Sequence, residues 1–131
     1  MKLYRDQIIK ILKDLNLDSD NYLVISGAAM VLLGIKEYTT DIDIAVTEDY
    51  YNYLINNYNC VYERTNEFNN DCYIINNIIN FGIDYYNNDK LNVLGIPVQT
   101  IEDLIKLKEF LHRDKDSSDI ELIKKKQGLI K

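Results

Sequence analysis

A chain of 131 residues can bury a sizeable core but leaves little room for a second one, so 1–131 reads as a single domain. Apolar residues make up 47% and charged residues 27%, the balance of a globular protein, which excludes a disordered or fibrous chain. The formal net charge of -6 argues against an obligate electrostatic grip on nucleic acid, and no apolar run approaches the roughly 18 to 20 residues that span a bilayer.

The opening "MKLYRDQIIKILKDLNL" is amphipathic and unlike a signal sequence, so a cytoplasmic protein without membrane attachment is expected. Its apolar positions Leu3, Ile8, Ile11, Leu12 and Leu15 recur at helical spacing and predict a surface helix over 3–15. "YLVIS" at 22–26 is a short β-rich run ending at Ser26-Gly27, and "AAMVLL" behind it reads as a brief buried helix stopped by Gly34. "IDIAV" at 42–46 alternates and is β-branched; Thr47 with Glu48 and Asp49 then forms the cap and acidic first turn of a helix through "YYNYLINNY".

"CVYER" at 60–64, "CYII", the turn candidate Asn76-Asn77 and "IINFGIDYY" predict antiparallel strands with a hairpin. Gly95 and Pro97 mark a break, after which Thr100 and Asp103 open the helix "IEDLIKLKEFLH". A last helix is expected from about Ser117 to Gln127, ended by Gly128, with Asp116 or Ser117 as its cap. Cys60 and Cys72 have no CxxC spacing and read as reduced packing residues. The sum is an α/β (α+β) domain, a mixed β-sheet with helices packed against it.

Asp41 and Asp43 flank one isoleucine, so on a strand both carboxylates point to one side and Ile42 and Ile44 to the other. Like charges held that close repel unless a cation or hydrogen-bond donors lie between them, and oxygen ligands suit Mg²⁺. Upstream, Ser26-Gly27 opening a helix would present backbone N–H groups to a phosphate, and Gly27 would let it approach. Each feature has a bland alternative: an ordinary strand-helix turn, or an acid on a solvated face. Their order in one stretch is more specific than either.

"SGAAMVLLGIKEYTTDIDIAV" resembles the signature of the DNA polymerase beta superfamily of nucleotidyltransferases, in the form carried by AbiEii-like toxins and aminoglycoside adenylyltransferase-like proteins. "IEDLIKLKEFLHRDKDSSDIELI" resembles a later segment of the same proteins, so the likeness spans most of the chain. It implies the nucleotidyltransferase fold, with Ser26 and Gly27 in the phosphate loop and Asp41 and Asp43 holding Mg²⁺, or Mn²⁺. Ser26 stands where relatives often have Gly.

The resemblance also implies a third carboxylate on a later strand, best matched by Asp84 in "FGIDYY"; Glu63, Asp71 and Asp89 are poorer substitutes because they sit beside polar clusters. Thr40 precedes the acids as the usual Thr or Ser does, and contacts a phosphate or merely leads the strand. Lys108, Arg113 and Lys115 are candidates for the nucleotide phosphates, with solvated helix faces as the alternative. His112, the only histidine, is read as structural.

The activity implied is transfer of a nucleoside monophosphate from a triphosphate such as ATP to an acceptor hydroxyl on a tRNA, a protein or a small molecule, in a toxin-antitoxin or defence setting. A chain this short lacks the extra helical domain that often binds the acceptor, so a homodimer or a partner protein is expected to supply it. The acidic balance disfavours tRNA, while Lys124, Lys125 and Lys126 offer a local basic patch. The rival expectation is an inactive nucleotidyltransferase-fold module serving as an antitoxin-like or regulatory partner.

Overall fold

A computed structural model describes residues 1–83 and 89–130, with side chains through Lys126. Its elements in chain order are β1 (Leu3–Tyr4), α1 (Arg5–Leu15), β2 (Tyr22–Ile25), α2 (Ser26–Leu32), β3 (Tyr38–Thr39), β4 (Ile42–Val46) and α3 (Glu48–Asn57). There follow β5 (Cys60–Thr65), β6 (Asp71–Ile75), β7 (Ile79–Gly82), β8 (Lys90–Val93), β9 (Ile96–Gln99), α4 (Ile101–Leu111) and α5 (Asp114–Ile130). Among the described residues the strands form a seven-stranded mixed sheet in the order β5-β6-β7-β4-β2-β9-β8, plus a two-stranded ribbon of β1 and β3.

The α/β class expected from the alternation of helical and strand periods is the one observed. The predicted first helix begins at Arg5 rather than Leu3, because Leu3 and Tyr4 pair with Thr39 and Tyr38. The Tyr4 N–H then donates to Gln7 Oε1 over 2.9 Å, closing the helix start. Thr47 caps α3 by accepting from the Tyr50 N–H, and Thr100 caps α4 by accepting from the Asp103 N–H. The turn between β6 and β7 holds Asn76 and Asn77 at φ 55 and 59, left-handed values that Asn tolerates better than most side chains.

Two boundaries differ from expectation. Gly95 and Pro97 do not break the chain but belong to a β8-β9 hairpin whose turn residues, Leu94 and Gly95, have φ of 53 and 89. Val93 and Ile96 close that hairpin as the hydrogen-bonded pair, so Pro97 falls in the next, non-hydrogen-bonded pair with Asn92, and its missing N–H is not needed by β8. The last helix starts at Asp114 and runs on to Ile130, so Gly128 does not end it. Asp116 acts from inside the first turn, its carboxylate reaching back to the Arg113 N–H over 3.1 Å.

Alternation along β4 decides how the sheet is used. Ile42, Ile44 and Val46 are buried in the main core with Met30 and Val31 of α2 and Ile8 and Leu12 of α1. Asp43 and Ala45 face the opposite side. On that side Leu23 and Ile25 of β2, Asp43 and Ala45 of β4, and Asn80 and Gly82 of β7 are neighbours across the strands. They floor a cavity. No helix among the described residues is long and apolar enough to cross a membrane.

Candidate functional site

β4 runs antiparallel to β2 and parallel to β7, and this pairing sets Ile25 and Asn80 on either side of Asp43. Asp41 precedes β4 by one residue and turns to the same face. Asn80 demonstrates the convergence: its Nδ2 donates to Asp41 Oδ2 over 3.0 Å and to Asp43 Oδ1 over 3.1 Å. One amide therefore bridges two carboxylates. The Asn80 Oδ1 on the other side of that amide is buried with no hydrogen-bond partner, alone in this among the described residues.

Burial pushes the Asp43 carboxyl up to about 6, and the Asp41 charge beside it adds to the rise. The Asn80 hydrogen bond and the Arg64 charge pull the other way, while Glu63 pushes further up. The two acids fit a divalent cation well: both groups are hard oxygen donors, partly buried, on one face, and held together by a donor that a cation would displace. Among the described residues no group of three histidine, cysteine or acidic side chains gathers to hold a metal. Asp84, expected as the third acid, lies outside the described residues.

The cavity above the pair has a volume of about 740 Å³, enough for a nucleotide-sized ligand. Ser26, Gly27 and Thr40 line it with the two acids, as do Lys108, Arg113 and Lys115, whereas Asp71 and Asp89 do not border it. Ser26 takes φ 58, in the left-handed region where glycine is unstrained and a residue with a Cβ is not. Its N–H donates to Gln99 Oε1 over 3.1 Å, tying the end of β2 to the end of β9. A Cβ on Gly27 would lie 2.8 Å from Thr39 Oγ1, so the lack of a side chain there makes room for the threonine hydroxyl.

The basic candidates differ in how far their charge is committed. Lys108 is only 2% exposed, with Nζ 3.0 Å from Asp119 Oδ2 and 3.7 Å from Asp116 Oδ1. Arg113 grips Asp116 through Nε at 2.6 Å and Nη2 at 3.1 Å, and Lys36 pairs with Asp119 at 3.1 Å. Burial alone would raise Asp116, but the hydrogen bonds and charge of Arg113, with Lys108 behind them, hold its carboxyl below the ordinary value. Lys115 and its cavity neighbour Lys106 form no ion pair among the described residues.

Sequence reasoning missed Asn80, Gln99, Lys36 and Lys106. Asn80 shares parity with Gly82 on β7, so its face was readable; its place beside Asp43 follows from a β4-β7 register that no local pattern encodes. Glu63 also borders the cavity, at the point where the β5-β6 register shifts between Tyr62 and Arg64. Such a bulge re-aims a side chain, and strict alternation does not foresee it.

No family model matches the chain, and no curated protein matches it. Among solved structures it is similar to a Thermotoga maritima protein that is itself only provisionally assigned as a nucleotidyltransferase. The TM-score is 0.62 at 18% identity, over 91% of this chain and 93% of the other. That likeness gives the architecture: the chain has the nucleotidyltransferase fold.

Proposed function

We propose that this protein is a metal-dependent nucleotidyltransferase that moves a nucleoside monophosphate from a triphosphate, ATP in the first instance, to an acceptor hydroxyl. The observation that carries the reading is the Asp41 and Asp43 pair, bridged by one amide at the floor of a cavity of nucleotide size. Asp41 and Asp43 would hold Mg²⁺ or Mn²⁺. Bound there, the ion supplies charge neutralisation to the triphosphate and lowers the pKa of an attacking hydroxyl.

In this reading Lys115 and Lys106, whose charges are uncommitted, meet the phosphates, and Lys108 and Arg113 shape that wall through Asp116 and Asp119. Ser26, Gly27 and Thr40 border the phosphate path. The acceptor oxygen attacks the α-phosphorus, the bond to the β-phosphate oxygen breaks, pyrophosphate departs, and Asp84 is the proposed base for the hydroxyl proton. The acceptor is a tRNA, a protein or a small molecule, presented by a second copy or a partner protein, in the toxin-antitoxin or defence setting that the family resemblance implies.

A second reading, an inactive module of the same fold, is favoured by one observation: the strand neighbour of Asp43 is Asn80 and not an acid. Incubating the protein and Mg²⁺ with each labelled triphosphate and fractions of cell extract separates the two. Transfer of label to one fraction, lost in Asp43→Ala with nucleotide affinity largely kept, is the expected result. Full turnover in Asp43→Ala would refute the assignment, and no magnesium-dependent nucleotide binding would leave the inactive module standing.

A further inference from the structure

We infer that Asn80 is itself a cation ligand, a neutral third member of the acid site that exchanges its amide nitrogen for its amide oxygen when the ion enters; this rests on the metal-dependent reading above. Asn80 sits on an interior strand, paired with Asp43 on one side and Ile74 on the other, so its Cα cannot move away. Only its side-chain torsions are free to respond.

With no ion between the carboxylates, the NH₂ group must face them, because an amide oxygen there would add a third negative pole. The two donations to Asp41 and Asp43 satisfy the acids but leave Oδ1 buried without a partner. A divalent ion in the same place reverses the preference: it repels the NH₂ group and attracts the carbonyl oxygen. Half a turn about the Cβ–Cγ bond presents that oxygen to the ion without disturbing the backbone.

The two acids keep a counter-charge throughout, first partial and then full. The amide thus holds the site closed when empty and becomes part of it when filled. Replacing a carboxylate by an amide also removes one negative charge, so Asp41, Asp43 and Asn80 together balance one divalent ion.

Binding of Mn²⁺ alone, followed by its electron paramagnetic resonance signal, is compared in the wild type, Asn80→Leu and Asn80→Asp. Asn80→Leu should bind at least 10-fold more weakly, and Asn80→Asp at least as tightly as the wild type. In the unaltered protein the Asn80 ¹³Cγ resonance should move downfield on saturation with Mg²⁺, as its oxygen is polarised; this measurement decides the matter if Asn80→Leu does not fold.

Equal Mn²⁺ affinity in Asn80→Leu, or a ¹³Cγ resonance unmoved at saturation, overturns the role of Asn80 and leaves the nucleotidyltransferase reading intact. A wild-type protein that binds no Mn²⁺ overturns both.

Discussion

Lys108 Nζ lies 3.0 Å from Asp119 Oδ2 with almost no water access to the lysine, at the join of α4 and α5. Asp116, 1% exposed, is the second carboxylate beside it. Removing Lys108 would leave Asp116 held by Arg113 and Asp119 by Lys36, so the two carboxylates would lose part of their compensation and not all of it. Lys108→Met should therefore lower the unfolding free energy by about 1–3 kcal/mol in urea titration, less than the cost of a buried charge left wholly unpaired. A loss under 1 kcal/mol would mean that α5 can release Asp116 and Asp119 to water.

The two shifted carboxyls act on stability in opposite senses. Asp43 is raised when folded, so its contribution is complete below pH 4 and disappears as pH rises through about 6. Over that window the ion-free protein should lose up to about 3 kcal/mol, and added Mg²⁺ should offset the loss above pH 6, where the carboxylate is ionised and free to bind. Asp43→Asn should flatten this limb and abolish the magnesium response. Asp116 is lowered, so its contribution holds above the ordinary aspartate value and is lost as pH falls below it. Thermal melts from pH 3 to 8, with and without Mg²⁺, check both limbs.

Gly27 and Thr39 should be energetically coupled. Gly27→Ala places a methyl 2.8 Å from the Thr39 hydroxyl and forces the threonine off its rotamer, at about 1–2 kcal/mol. Thr39→Ala removes the obstruction, so the double variant should recover most of that loss. A cycle that closes with no coupling would place the strain elsewhere.

Ser26→Gly should stabilise the protein by up to about 1 kcal/mol, since a left-handed residue with a Cβ carries strain that glycine lacks, less the extra freedom glycine gains on unfolding. Chemical denaturation with unchanged m-value measures it. Destabilisation would show that the serine side chain contributes more than its backbone costs.

Short-range signals in the sequence accounted for the helix starts at Thr47 and Thr100, the strand at β4 and the asparagine turn before β7, because caps, alternation and turn chemistry act within a few residues. The acid pair was legible for the same reason: two positions on one strand need only a period of two. The β8-β9 hairpin was not, since Leu94 is an unusual occupant of a left-handed turn and Pro97 argues against a strand until its hydrogen-bond phase is known. Asn80 and Gln99 escaped because their roles come from pairings between distant strands, and the commitment of Lys108 and Arg113 to Asp116 and Asp119 follows from how α5 docks.

Asn80 and Asp43 stand 37 positions apart in the chain, and a helix and two strands intervene before they meet. Closing so long a loop is paid late in folding, after local turns and hairpins have formed. During synthesis, Asp41 and Asp43 therefore leave the ribosome well before the strand that completes their surroundings. On the metal-dependent function proposed above, a nascent chain would lack a finished ion site, and its activity would wait until the sheet is assembled.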